Sequence, residues 1–208
     1  METAEAFAGA FDVSRETLAR LRLYEELLGK WSRSINLVSA ASLKAVGHRH
    51  FADSAQLLAL APGAARSWID LGSGAGFPGL VVAILAAEQR PALALTLVEA
   101  DARKVAFLRE LSRLVQVPVR IEACRAEALP ARPHDVVSAR ALAPLPRLLE
   151  LAAPFLAGGG VALLPKGAGW RSELTEAQAA WHIAVRAVPS LTDPAAQILC
   201  ITEVQRAK

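Results

Sequence analysis

Cysteine is almost missing from this chain. Its 208 residues include two, Cys124 and Cys200, far apart and each inside an apolar run, which excludes a disulfide framework or a thiolate metal site. Both read as reduced core thiols. No apolar run is long enough to span a bilayer either. The longest stretch free of acidic and basic residues, Leu71 to Ala87, is 17 residues and holds four glycines and Pro78, whereas a spanning helix needs about 20 consecutive apolar residues. The N-terminus meets Glu2 and Glu5 before any basic residue and has no apolar segment behind them, so no secretory signal is read and a cytoplasmic protein is expected. Internal repeats, low-complexity tracts and long Gly/Ser linkers are lacking.

What is present is an apolar, mildly basic globular composition. With 53% hydrophobic and 21% charged residues, burial can offset the entropy of ordering, so wholesale disorder is excluded and one main core is expected. The formal net charge of +3 is unevenly placed. Leu27 to Ala52 holds four Lys/Arg and no Asp or Glu in 26 residues, while the remaining 182 carry 19 basic and 20 acidic residues. The excess lies in one arm, and a basic arm attracts anionic partners.

Periodicity separates two regions. Ser14 suits an N-cap for a helix bearing Leu18, Leu21, Tyr24, Leu28 and Trp31 on one stripe. A second helix is predicted after Ser42, running to Leu60 before Pro62 and Gly63. From Ser67 strand-like runs take over: Trp68 to Leu71, Leu93 to Val98, Val117 to Ala123, Val136 to Ala139, Gly160 to Leu164, Ile183 to Val188 and Ile198 to Val204. Helical patterns from Pro78 through Leu85, Ala102 to Leu114 and Leu145 to Phe155 separate the earlier ones. Such alternation predicts an α/β fold with a mainly parallel sheet. The last two strands, joined only by Pro189 to Gln197, should form an antiparallel hairpin. Residues 1–65 are therefore expected to be a helical extension and 66–208 a ligand-binding domain.

The first strand runs into Asp70-Leu71-Gly72-Ser73-Gly74-Ala75-Gly76-Phe77-Pro78-Gly79. Glycines here allow positive φ and close approach of backbone to a ligand. Counted from Gly74, the letters match a dinucleotide fingerprint, which keeps an oxidoreductase reading open. Pro78 removes an N–H that a pyrophosphate would use, and Asp70 places a carboxylate beside the loop, which suits a cation better than a phosphate. Asp-x-Gly-x-Gly-x-Gly resembles the cofactor loop of class I S-adenosylmethionine-dependent methyltransferases, whose Rossmann-like sheet has seven strands with the last antiparallel. Glu99, closing the second strand, stands where both superfamilies bind ribose hydroxyls.

Further segments resemble one family, the bacterial small-subunit (16S) ribosomal RNA guanine-N7 methyltransferases, or glucose-inhibited division protein B family. They are Lys30-Trp31 with Ile35 to Ser39, Arg49-His50-Phe51 with Asp53-Ser54, Gly72 to Gly79, Lys104 to Leu108, Arg125-Ala126-Glu127, Ser138-Ala139-Arg140-Ala141 and Pro165-Lys166-Gly167. Ala139 and Phe77 depart from the commoner Ser and Leu. The resemblance implies methyl transfer from S-adenosyl-L-methionine to N7 of guanosine 527 of 16S ribosomal RNA, alone or within the small subunit. It implies cofactor contacts at Gly72, Phe77, Ala126, Glu127 and Arg140, to which the loop reading adds Asp70, Gly74, Gly76 and Glu99.

The missing catalytic groups agree. The position after the fourth strand reads Ser138-Ala139-Arg140-Ala141, not the Asn/Asp-Pro-Pro-aromatic loop that orients exocyclic amines, and neither cysteine is placed as a nucleophile for pyrimidine C5. Guanine N7 has an in-plane lone pair and no proton to remove, so no base is required. Arg140 is the expected catalytic residue, its fork suited to guanine O6, a phosphate or the cofactor carboxylate. Pairing with Asp135 or Glu127 is its alternative role. The candidates for RNA contact are Lys30, Arg33, Lys44, His48, Arg49, His50 and Lys166; a merely solvated face is the alternative. His50 and Asp53 should orient their helix rather than bind metal, no third ligand being near. No metal and no membrane are expected, and a monomer is the simplest state. A non-catalytic RNA-binding or assembly protein on the same fold is the other alternative.

Overall fold

The computed structural model describes residues 3–207. Ser14 does cap the first long helix, α2 (Arg15–Trp31), accepting from the Thr17 amide at 3.1 Å. The stripe of Leu21, Tyr24, Leu27 and Leu28 is buried, each such side chain contributing about 1.5–3 kcal/mol. A shorter helix, α1 (Ala4–Phe11), precedes it and was not expected, because its alanines blur the contrast between faces. Phe7 anchors it.

The second helix is broken where one helix was predicted. It consists of α3 (Ala40–Leu43), a π-helical turn (Gly47–Ala52) and α4 (Asp53–Leu60). Gly47 lies against α1, where a Cβ would stand 2.2 Å from the Thr3 carbonyl oxygen. π-turns of this kind collect at functional sites, and this one carries Arg49 and His50.

Beyond it the chain alternates as predicted. The strands are β1 (Ser67–Leu71), β2 (Ala94–Val98), β3 (Arg120–Glu122), β4 (His134–Ala139), β5 (Leu156–Lys166), β6 (Trp181–Pro189) and β7 (Gln197–Arg206), in the order β3-β2-β1-β4-β5-β7-β6. β1 to β5 pair in parallel and β7 is antiparallel to both its neighbours, so the expected terminal hairpin is present. Helices α5 (Gly79–Gln89), α6 (Ala102–Leu114), α7 (Leu145–Ala152) and α8 (Trp170–Gln178) make the crossovers. α8 escaped prediction because it buries a single residue, Ala177, and so shows no apolar stripe. β5 begins four residues earlier than expected, with an irregular register against β4 at its start.

The sheet is covered on both faces, as parallel sheets are. On one face Phe7, Leu21, Tyr24, Phe51 and Leu57 share a continuous core with Trp68, Leu80, Ile84 and Phe107. The N-terminal helices thus extend the core that covers this face of the sheet. On the other face α7 and α8 cover Ile69, Val137, Ala162 and Leu199. Strand order reverses between β1 and β4, and their carboxyl ends form the crevice where open α/β sheets bind ligands.

Candidate active site

Two cavities open along that crevice and meet at Ala141, directly after β4. The first, of about 410 Å³, lies over the ends of β1 and β2 and is lined by Gly72, Gly74, Glu99, Ala126, Glu127 and Leu142, among others. Gly72 and Gly74 have φ of +67° and +57°, which only glycine adopts freely. The Glu99 carboxylate is fixed at the rim, one oxygen accepting from the Gly74 amide and the other from the Asp101 amide, both at 2.8 Å. It keeps lone pairs for a ligand's hydroxyls. Glu127 is exposed and paired with Arg147 at 2.5 Å. Leu142, Lys104 and Arg147 also line this cavity. The sequence assigns none of the three to the site: Lys104 stands in a segment that carries the family resemblance but with no role given, and Leu142 and Arg147 look like ordinary loop and helix positions.

The amides of the glycine loop weigh against a pyrophosphate. Those of Ser73, Gly74, Gly76, Phe77 and Gly79 donate to Val98, Glu99, Ser73, Ser73 and Asp70 respectively, and Pro78 has none. A pyrophosphate site needs a row of free donors at the helix N-terminus, and five of this loop's amides are already engaged. An acid over apolar walls of Val98, Leu142 and Leu151 instead fits a nucleoside with a cationic tail.

Four residues expected at the cofactor do not line this cavity: Arg140, which lines the second, and three at the loop itself. Asp70 is wholly buried under the loop, its carboxylate accepting from Ser138 Oγ at 2.6 Å and the Gly79 amide at 3.1 Å. Burial is the main reason its pKa rises to about 6, against those hydrogen bonds. Gly76 faces Tyr24 and Leu80. Phe77 turns its ring away from the cavity, between Tyr24 (centroids 5.2 Å apart) and His50 (4.4 Å). The loop needs packing on its underside, and these residues supply it.

The second cavity, of about 480 Å³, is lined by Arg49, His50, Asp53, Arg140, Lys166 and the loop from Ser190 to Gln197, with Ser39 and Ser42 at its mouth. That loop was read only as a hairpin connection; its part in the site depends on β7 lying beside β5. Arg140 lines this cavity and not the first. Its partner is neither Asp135 nor Glu127. Asp135 holds the Arg66 and Ser67 amides and the Ser67 hydroxyl, while Arg140 bonds Asp53 Oδ2 at 2.8 Å, the Arg49 carbonyl at 3.2 Å and His50 Nδ1 at 3.0 Å. His50 is stacked and half-buried. Its pKa falls to about 3, chiefly through burial and then through the charges of Arg140 and Arg49, so the ring is neutral and accepts.

Of the residues expected to meet RNA, Lys30, Arg33, Lys44 and Arg49 are exposed and only Arg49 lines a cavity; His48 is half-buried and lines neither. Lys166 is different. Its ammonium is 2.6 Å from Glu173 and donates to the Ala143 carbonyl, with its side chain 9% exposed, so it braces the wall between β5 and α8. Among the described residues no group of three or more His, Cys, Asp or Glu is arranged to hold a metal, and no helix is long and apolar enough to cross a membrane.

Comparison with known proteins agrees with this geometry. The family model for rRNA small subunit methyltransferase G matches residues 17–199. A protein of Rhodospirillum centenum named ribosomal RNA small subunit methyltransferase G is 52% identical over 201 residues, covering 97% of this chain and 91% of the relative. Its namesake from Rhodospirillum rubrum is 51% identical over 205 residues, covering 99% and 100%. Among solved structures, a TehB-like SAM-dependent methyltransferase from Corynebacterium glutamicum superposes with a TM-score of 0.58 at 16% identity over 88% of this chain and 98% of that one. The mitomycin 7-O-methyltransferase MmcR gives 0.59 at 17% identity, covering 99% and 73%. These two share the fold alone. The chain belongs to the rRNA small subunit methyltransferase G family.

Proposed function

We propose that this chain transfers a methyl group from S-adenosyl-L-methionine to guanine N7 in 16S ribosomal RNA, at guanosine 527 by its family resemblance. The observation that carries this reading is the pair of cavities meeting at Ala141, one walled by Glu99 and the glycine loop, the other by Arg140. S-adenosylmethionine, when bound in the first, would supply an electrophilic methyl group: the N7 lone pair of a guanine in the second would form the new C–N bond as the S–CH3 bond breaks, with neutral S-adenosylhomocysteine leaving and no proton lost.

Each residue then has a stated task. Glu99 accepts from the ribose hydroxyls, Gly72 and Gly74 let the backbone lie against the ligand, and Ala126 with Glu127 borders the adenine end. Arg140 orients the base. It has five N–H groups and the protein engages three, leaving two to point at guanine O6 or a phosphate. N7 transfer needs no general base, because the atom that is methylated carries no proton. Proximity of well-oriented reactants can by itself lower a barrier by up to about 7–11 kcal/mol. Lys44 and Arg49 hold the RNA backbone near the second cavity.

Small ribosomal subunits from cells lacking the protein, incubated with it and labelled S-adenosylmethionine, should gain label at one guanosine N7. Calorimetric binding of NADH in place of S-adenosylmethionine would return the reading to a dinucleotide enzyme, and RNA binding without label would leave an assembly protein.

A further inference from the structure

We infer that Asp53 is a positioning and charge-compensating residue for methyl transfer, acting through Arg140, so that α4 of the N-terminal extension completes the active site. The inference rests on the role of Arg140 proposed above. The Asp53–Arg140 pair is shielded, each side chain 17% exposed, with N–O contact at 2.8 Å. A pair so withdrawn from water interacts far more strongly than a surface pair. The guanidinium is clamped on its other sides by His50 Nδ1 and the Arg49 carbonyl, and lies 5.1 Å from the centre of the Phe77 ring. Residues 49, 50 and 53 come from the π-turn and the start of α4; Arg140 comes from the end of β4. Neither half holds the fork alone.

The charge matters as much as the position. Methylation at N7 leaves the purine ring positively charged. An uncompensated guanidinium in the same cavity would oppose that charge, whereas the ion pair offers N–H donors with little net charge. Asp53 is also bonded through Oδ1, which accepts from Gln56 Nε2 and from Thr192 Oγ1, both at 3.1 Å. Thr192 lies in the loop that walls the second cavity. The two oxygens therefore separate two roles, one toward the arginine and one toward the loop.

Asp53→Asn keeps the shape and removes the charge. The expected result is a fall in kcat for methyl transfer of about 10- to 100-fold with KM for the RNA substrate within threefold of wild type, since phosphate contacts are untouched. Asp53→Glu, which restores the charge, should recover kcat to within about fivefold. Thr192→Val, which leaves the Arg140 contact in place and removes the loop's bonds from Thr192 Oγ1 to Asp53 and to Ser190 Oγ, should raise KM and lower kcat far less than Asp53→Asn does. Each variant is assayed below its own melting midpoint. The inference is overturned if Asp53→Asn turns over within twofold of wild type, if the Glu variant is as poor as the Asn variant, or if Thr192→Val reproduces the loss. Arg140→Ala run alongside separates the two claims. If it stays active, the role of Arg140 itself is wrong; if it is dead while Asp53→Asn is normal, only the role of Asp53 is.

Discussion

The Arg140 guanidinium donates to the Asp53 carboxylate at 2.8 Å across 87 residues of sequence, joining the end of β4 to the first turn of α4. Removing the arginine leaves a half-buried carboxylate without its cation but does not touch the apolar core. Arg140→Ala should therefore lose methyl transfer by at least about 100-fold while unfolding cooperatively, within about 3 kcal/mol of wild type. Arg140→Lys should be almost as inactive, since an ammonium cannot present two coplanar donors while bonding Asp53. Activity assays paired with thermal melts check both, and wild-type turnover in either variant would remove Arg140 from the chemistry.

Two glycines of the loop make unequal demands. At Gly76 φ is +95° and a Cβ would lie 2.5 Å from Tyr24 Oη, whose hydroxyl is bonded to the Ala75 carbonyl in a packed interior. Gly76→Ala should cost about 2–4 kcal/mol of stability. At Gly74 φ is +57° and the nearest atom to a Cβ is 3.8 Å away, so Gly74→Ala should cost about 1 kcal/mol, the left-handed backbone alone. Denaturant unfolding of the two variants distinguishes them. Equal losses would show that the Tyr24 contact yields easily.

RNA affinity should fall with salt in proportion to the phosphates neutralised. Lys44→Ala and Arg49→Ala, at exposed positions, should each reduce the log–log salt slope by about 1. Lys166→Ala should leave the slope nearly unchanged and lower the melting temperature, because its ammonium already faces Glu173. A slope that moves with Lys166 and not with Arg49 would relocate the RNA contact.

His50 gives the fold an acid-sensitive joint. Its pKa is lowered to about 3 in the native protein from 6.5, so the unfolded chain binds the extra proton between those values. The contribution is complete above about pH 6.5 and is lost as pH falls toward 3. Asp70 has the opposite sign: raised to about 6 from 3.8, it favours the fold at low pH and loses that advantage as pH climbs through 6. The stability of wild type relative to His50→Gln should thus fall by about 1–3 kcal/mol between pH 7 and pH 4, allowing for solvent screening of a half-buried ring. Urea titrations at the two pH values measure it, and a constant difference would mean that His50 is not held neutral.

Sequence alone determined much here, because the features concerned are local. The strand Trp68 to Leu71, the glycine loop behind it and the alternation of apolar runs specify a parallel sheet and a ligand at its carboxyl edge, since period and turn chemistry act over a few residues. Ser14 is legible as a cap for the same reason, as is Glu99 at the end of its strand. Other features depend on what packs above or below them. Asp70 looks like a pocket acid in one dimension, yet burial and the Ser138 and Gly79 bonds put it under the loop. Phe77 looks like a cavity wall until Tyr24 and His50 are found on its two faces. Lys166 reads as a free cation until α8 brings Glu173 to it. The identity of Arg140's partner was the least readable of all. Three-residue spacing joins His50 to Asp53, but only folding of the N-terminal helices onto the sheet brings both to an arginine some 90 positions away, and no local pattern encodes a contact made by long-range packing.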